Sequence, residues 1–372
     1  MKVLFTCGGT GGHIYPAIAI ADKIKRRHPG AEILFVGTET GMENTLVPAA
    51  GYDLERIAAS GLDRRNPLNN IKTFRNMLQG SAQIRRILEC FRPDRVVGTG
   101  GDVTAPVIRE AARRGIPAYI HEQNALPGVA NRMLERYTAK TFISFPDSEK
   151  YFRHKEKLVL SGNPVRREFV LAGIADCRSE LGFSDKDFVL LVFGGSLGAQ
   201  VLNRETLRMI PALKEGGARL IFVTGKRYYE EVRDAIAEIP GGEDVKLLPY
   251  ADDMPRLLNA ADLVISRAGA IALAEITVCG KPSLLIPSPN VTNDHQYHNA
   301  KALADAGAAV LIREEDLSEE RSVFAYYVLK LKNNKEKLNA MSLASAGLGR
   351  ADAADIIYDN LALDTIGTES HE

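Results

Sequence analysis

Residues 188–193, Phe188-Val189-Leu190-Leu191-Val192-Phe193, run directly into Gly194-Gly195-Ser196-Leu197-Gly198, and a helix is expected from about Val201. Six apolar residues in a row leave no polar face. That is the pattern of a strand covered on both sides in a parallel sheet. The chain opens in the same order. Val3-Leu4-Phe5 precedes Gly8-Gly9-Thr10-Gly11-Gly12-His13, and Ile14, Ala17, Ile18, Ala21 and Ile24 then follow helical spacing. Further strands are expected at 33–36, 95–97 and 118–120, and at 220–224, 245–248, 263–266 and 283–286. Strands alternating with helices, restarted by a second glycine-rich turn, imply an α/β fold of two Rossmann-like domains.

The expected division is 1–164 and 165–350, with a linker through Ser161-Gly162-Asn163-Pro164 and a helix at about 351–362 packing back on the first domain. Ligands of open parallel sheets bind beyond the carboxyl ends of the strands. The expected site is therefore a cleft faced by both domains, lined by loops that follow strands.

A chain of 372 residues exceeds one typical core. Its 45% hydrophobic and 25% charged residues suit a globular enzyme. Lys plus Arg (47) match Asp plus Glu (47), so no net charge exists to hold nucleic acid. Cys7, Cys90, Cys177 and Cys279 form no CxxC pair and are expected as reduced thiols. The N-terminus reads as a first strand rather than a secretory leader, and no apolar run of about 18 residues occurs. The expectation is a cytoplasmic protein.

Glycines in the first turn let backbone N–H groups approach a polar ligand. A dinucleotide fingerprint read from Gly9 fails at Ile14, and the second strand ends in Gly37-Thr38 rather than an acid, which argues against NAD. His13 stands at a helix start, where oriented N–H groups favour a neutral ring able to take a proton. A capping or packing histidine is the alternative. In the second half, Ser196 and its glycines can hold a phosphate, or simply pack strand on helix. Ser266-Arg267-Ala268-Gly269-Ala270 leads into a helix whose N-terminus can face a diphosphate, and Glu275 can accept from two ribose hydroxyls or stand as a solvated first-turn acid favoured by the helix dipole. In Asn293-Asp294-His295-Gln296-Tyr297-His298-Asn299, Asp294 and Gln296 can bond sugar hydroxyls. His295 and His298 lack a third metal ligand, so no metal is expected. His121-Glu122-Gln123-Asn124 is read as a loop after a strand, and Asp252-Asp253, before Pro255, as acids at a helix N-terminus rather than a metal-binding pair.

GGTGGH (8–13), GMENTLVP (41–48), SGL (60–62), HEQN (121–124), GNPVR (162–166), GGSLGA (194–199), SRAGA (266–270) with Glu275, and DHQYHNA (294–300) occur in this order. As a set they resemble the undecaprenyldiphospho-muramoylpentapeptide β-N-acetylglucosaminyltransferase (MurG) family, which converts lipid I to lipid II in peptidoglycan synthesis. The resemblance covers nearly the whole chain and weakens after about Ser318. It implies a GT-B fold, no cofactor, and inverting, metal-independent transfer from UDP-N-acetylglucosamine to the C4 hydroxyl of the muramoyl sugar. By motif, donor contacts fall at Thr10, Gly11, Gly12, Asn124, Arg166, Ser196, Ala251, Ala270, Ile271, Ala272, Leu273, Ala274, Glu275 and Gln296. Uracil is implied near Arg166 and Ala251, ribose at Glu275, the diphosphate between Ser196 and the Ala270 helix start, and the sugar at Gln296. His13 faces the acceptor as general base. Leu197, Asp102 and the pair Ile271-Ala272 depart from the family's usual residues.

An acceptor anchored in a membrane implies a peripheral enzyme on the inner face of the cell membrane. Arg64, Arg65, Lys72, Arg75, Arg85 and Arg86 lie among Leu68, Ile71, Phe74, Met77 and Leu78, a candidate lipid-facing patch. A helix with its apolar stripe in the core fits the same spacing. The rival functions are a UDP-N-acetylglucosamine 2-epimerase, a transferase with a diacylglycerol acceptor, and a non-catalytic sugar-nucleotide binder.

Overall fold

The computed structural model describes residues 1–58, 70–171, 174–195, 198–317 and 322–365, with backbone alone for 70–78, 174, 175 and 365. The chain forms two compact units: Met1–Val165 with the segment from Asp352 onward, and Arg166–Ala351.

Among its described residues the first unit has seven strands: β1 (Lys2–Cys7), β2 (Glu32–Thr38), β3 (Asp53–Ile57), β4 (Arg95–Gly100), β5 (Ala118–Glu122), β6 (Lys140–Ile143) and β7 (Leu158–Leu160). All pair in parallel, in the order β3-β2-β1-β4-β5-β6-β7. The second unit repeats the plan with β8 (Phe188–Phe193), β9 (Ala218–Val223), β10 (Val245–Leu248), β11 (Leu263–Ser266), β12 (Ser283–Leu285) and β13 (Ala309–Leu311). Its order is β10-β9-β8-β11-β12-β13. In each sheet the order reverses beside the first strand of the unit, between β1 and β4 and between β8 and β11. That switch point is where a doubly wound sheet opens a crevice for a ligand.

The unbroken apolar runs arise because both faces of each sheet are covered. Val3, Phe5 and Cys7 point to one side, into a cluster with Ile14, Ile18 and Ile357. Leu4 points to the other, against Val96, Ile108 and Leu88. The helix Ala353–Asn360 closes the first of these faces. Ile357 and Tyr358 are buried there, Lys23 pairs with Asp355, and the Arg95 guanidinium donates to the Leu361 carbonyl at 3.0 Å.

Four strands, β3, β6, β7 and β13, were not expected from the sequence. β3 is an edge strand with Asp53, Glu55 and Arg56 exposed and only Ile57 fully buried, so it carries no apolar run. β4 and β5 also run further than expected, to Gly100 and Glu122. Among the described residues no helix is long and apolar enough to cross a membrane. The candidate lipid-facing side chains of Arg64, Arg65, Leu68, Ile71, Lys72, Phe74, Arg75, Met77 and Leu78 lie outside the described residues. Arg85 and Arg86 are exposed.

Candidate active site

At the switch point of the first unit, β1 ends in the turn that begins at Gly8, and the helix Gly11–Arg27 follows at once. The Gly8 N–H donates to the Gly100 carbonyl at 3.1 Å, which ties this turn to the end of β4. Gly101 has φ +90°, and a β-carbon there would meet the Gly8 oxygen at 2.6 Å. Thr10 is exposed, and Gly11 and Gly12 are half-buried. The N–H groups of Gly11 and Gly12 lie in the first helical turn and have no intrahelical acceptor.

His13 is the third residue of that helix, and its Nδ1 stands 3.0 Å from the Gly8 carbonyl. A carbonyl oxygen only accepts, so Nδ1 carries a proton, and the lone pair of the neutral form of the ring lies on Nε2. The ring lies against Gly100, where φ is +125° and an added β-carbon would come 2.5 Å from Cδ2 and 2.8 Å from Nε2. The Thr99 hydroxyl donates to the His13 carbonyl at 2.6 Å. The helix start, the β4 end and one peptide carbonyl thus fix the imidazole.

His121, Glu122 and Gln123 are buried rather than displayed on a loop, because β5 extends through Glu122. Burial pushes His121 down to about 4, although its bond to the Gly162 carbonyl pulls the other way. The Glu122 carboxylate accepts from the Asn124 N–H (2.9 Å), the Asn124 amide (3.2 Å), the Gly128 N–H (3.0 Å) and the Asn131 amide (2.8 Å). Of the four residues only Asn124 is half-exposed. The others build the support on which it stands.

In the second unit, β11 runs through the extended Gly269 (φ −66°, ψ 134°) into the helix Ala270–Val278. The Leu273 N–H closes the first helical bond, to the Gly269 carbonyl at 3.0 Å. The N–H groups of Ala270, Ile271 and Ala272 therefore have no intrahelical acceptor and face outward beyond the sheet edge. The Ile271 and Leu273 side chains are buried, so the chemistry offered here is main-chain. The turn before the helix is held by the Asn299 amide, which donates to the Ala268 carbonyl at 3.2 Å, and by the Arg267–Glu314 ion pair at 2.5 Å.

Glu275, on the second turn of this helix, is half-buried, and loss of hydration pushes its carboxyl up to about 7 while the Arg166 guanidinium pulls it down. Arg166 itself lies 5.2 Å over the Phe169 ring. The Gln296 side-chain oxygen accepts from the Ser288 N–H at 2.9 Å. That bond occupies the oxygen, and the amide NH2 is the donor end of the side chain. Asn293 and Asp294, just before it, both have positive φ, 55° and 52°. Ala251 is half-buried beyond β10, and the Asp253 carboxylate caps the next helix by accepting from the Arg256 N–H at 3.2 Å. His295 bonds the Thr292 carbonyl at 2.9 Å, and His298 meets the edge of Tyr297. Ser196 and Leu197 lie outside the described residues.

Thr10, Gly11, Gly12 and His13 thus form one turn, with Asn124 two strands along the same sheet edge. Ala251, Ala270, Ile271, Ala272, Leu273, Ala274, Glu275 and Gln296 belong to loops and helix starts at the carboxyl edge of the other sheet, with Arg166 near Glu275. Sequence reasoning passed over Glu43, Thr99 and Asn299. All three are fully buried polar residues; Glu43 and Asn299 lie within the motifs at 41–48 and 294–300, but no role was drawn for them there.

The glycosyltransferase family 28 N-terminal domain matches residues 3–143, and the family 28 C-terminal domain matches residues 189–357. The chain is 44% identical to the UDP-N-acetylglucosamine–N-acetylmuramyl-(pentapeptide) pyrophosphoryl-undecaprenol N-acetylglucosamine transferase of Alkaliphilus oremlandii, over 97% of this chain and 98% of that one. It is equally identical to the Clostridioides difficile protein of the same name, over 97% and 88%. The crystal structure of Acinetobacter baumannii MurG superposes with a TM-score of 0.76 at 28% identity, covering 97% and 99% of the two chains. A UDP-N-acetylglucosamine 2-epimerase from Neisseria meningitidis reaches a TM-score of 0.66 at 18% identity, a likeness of fold alone.

Proposed function

The chain belongs to the UDP-N-acetylglucosamine–N-acetylmuramyl-(pentapeptide) pyrophosphoryl-undecaprenol N-acetylglucosamine transferases of glycosyltransferase family 28, with their two-domain GT-B fold, and on that premise we propose the reaction and the division of labour that follow. The enzyme is a UDP-N-acetylglucosamine-dependent glycosyltransferase that converts lipid I to lipid II. The acceptor nucleophile is the C4 hydroxyl of the muramoyl sugar, which attacks the donor C1 opposite the departing UDP and inverts that centre.

Negative charge grows on the diphosphate as the C1–O bond breaks. The open N–H groups of Ala270, Ile271 and Ala272 and their helix dipole stabilise it, with Ser196 as a further donor. Preorganised donors of this kind typically contribute about 2.7–4 kcal/mol each. Glu275 takes the ribose hydroxyls, Arg166 and Ala251 flank the uracil, and the Gln296 amide donates to the sugar. On the acceptor side the C4 hydroxyl proton passes to His13 Nε2, a step typically worth about 10²–10⁴-fold. Thr10, Gly11, Gly12 and Asn124 orient the reacting sugars.

The observation that carries this reading is the 3.0 Å contact between His13 Nδ1 and the Gly8 carbonyl. An Nδ1–H held there puts the lone pair of the neutral ring on Nε2, beside the switch point of its sheet. UDP release with a short-chain lipid I analogue, measured with and without the acceptor, tests it. Release that needs the acceptor and yields one lipid-linked disaccharide per UDP is expected. Conversion of donor alone would point instead to the 2-epimerase reaction. The enzyme works peripherally at the cytoplasmic face of the membrane, where its lipid-linked acceptor lies. Loss of liposome co-sedimentation in Arg75→Glu and Phe74→Ser is expected, and unchanged co-sedimentation would remove that patch from the account.

A further inference from the structure

Glu43, the first residue of the helix Glu43–Ala49, is a carboxylate with no exposed surface, and the reaction as drawn does not use it. It accepts from the Thr38 N–H at 2.8 Å, the Thr38 hydroxyl at 2.6 Å and the Gly9 N–H at 3.0 Å. Burial pushes its carboxyl up, but the bonds from the Thr38 hydroxyl, the backbone at Glu43 and Thr38, and the Gly9 N–H outweigh this and hold it below the usual range. The chain makes room for it. A β-carbon at Gly37 would meet Glu43 Cγ at 2.5 Å, and one at Gly8 would meet Oε1 at 3.2 Å.

The Gly9 N–H and the Gly8 C=O are the two ends of one peptide group. Glu43 grips its N–H end, and His13 Nδ1 bonds its C=O end at 3.0 Å. A carboxylate on the N–H of an amide draws electron density toward the carbonyl oxygen and strengthens the bond that oxygen accepts. We infer that Glu43 is the positioning residue of the catalytic base: through the Gly8–Gly9 peptide it fixes the Nδ1–H tautomer of His13 and steadies the ring as Nε2 takes the acceptor proton. The arrangement has the logic of a base oriented by a third group, with a peptide bond interposed between carboxylate and imidazole. It rests on the reading of His13 as the base.

The same contacts bear on what the turn binds. The N–H groups of Gly8, Gly9 and Thr10 are all committed internally, to the Gly100 carbonyl, Glu43 and the Gly8 carbonyl. An ionised carboxylate lies directly behind them. This turn therefore suits an uncharged sugar hydroxyl rather than a diphosphate, unlike the helix start at Ala270.

A double-mutant cycle on the full-length enzyme tests the inference, with kcat and donor KM measured for Glu43→Gln, His13→Ala and the pair. Glu43→Gln keeps the side-chain shape. It is expected to lower kcat about 10- to 100-fold at unchanged donor KM, the range a misplaced catalytic group produces. In the His13→Ala background the same change is expected to alter kcat less than twofold. Nitrogen NMR of labelled histidine should show His13 protonated on Nδ1 in the parent and redistributed toward Nε2 in Glu43→Gln. Thr38→Val, which removes one donor to the carboxylate, should move both readouts the same way to a smaller extent, and serves if Glu43→Gln does not fold. Equal losses in both backgrounds with an unchanged tautomer would overturn the role of Glu43 and leave His13 as the base. Near-normal kcat in His13→Ala alone would overturn the base, and this inference with it.

Discussion

Adding one methyl group to Gly100 should disable the enzyme while leaving it folded. The β-carbon of Gly100→Ala would sit 2.5 Å from His13 Cδ2. Carbon atoms in contact stay about 3.5–4.0 Å apart, so the ring must withdraw by about 1 Å. A shift of that size at a reacting group costs about 10²-fold in rate. The backbone adds a stability term, because φ at this position is +125°. A residue with a side chain is strained there by about 1–3 kcal/mol, and a unit of this size loses roughly 2–4 °C of Tm per kcal/mol. Gly115→Ala separates the two effects, since Gly115 also has positive φ (+71°) but an added β-carbon there meets nothing within 4 Å. Both variants should melt a few degrees early. Only Gly100→Ala should lose kcat, with donor KM unchanged in both. A folded Gly100→Ala enzyme with kcat within twofold of the parent would refute the argument that ring position limits the reaction.

Glu275 gives a pH signature. With its carboxyl pushed up to about 7, donor KM should fall as pH rises through that value, and Glu275→Gln should flatten the profile. A raised carboxylate favours the folded state only while protonated, so its contribution to stability is lost as pH rises from about 4.5 to about 7. Glu275→Gln should therefore gain stability relative to the parent at pH 8 and little at pH 4, as thermal melts would register. Glu122→Ala removes the acceptor of four donors and should destabilise the first unit by about 1–3 kcal/mol for each buried donor left unpaired, measurable by denaturant titration. Truncation after Arg350 removes Ile357, Tyr358 and Leu361 from the core. At about 1.5–3 kcal/mol each, the loss approaches the whole stability of a domain. The truncated chain should therefore fail to give soluble protein, and a cooperative melt from it would contradict the packing.

The central strands of each sheet were legible because both faces are buried, so β1 and β8 carry apolar residues without interruption. β3 was not, since an edge strand with Asp53, Glu55 and Arg56 toward solvent has neither an apolar run nor a clean alternation. His121 and Glu122 were read as loop because polar residues usually end a strand. Here they continue one, paid for by an internal hydrogen-bond network. The glycine turns, His13 and Glu275 announced themselves through local chemistry at strand ends. Glu43 did not. Its role depends on Gly8, Gly9, Gly37 and Thr38 meeting in space, and nothing in residues 41–48 taken alone distinguishes it from an acid at a helix start.

The most direct test of this division of labour is calorimetric titration of UDP-N-acetylglucosamine into His13→Ala, followed by addition of a lipid I analogue. Donor affinity equal to the parent's, with transfer slowed by about 10²–10⁴-fold, is the predicted result. Loss of donor binding in His13→Ala, or transfer at the parent's rate, would contradict it.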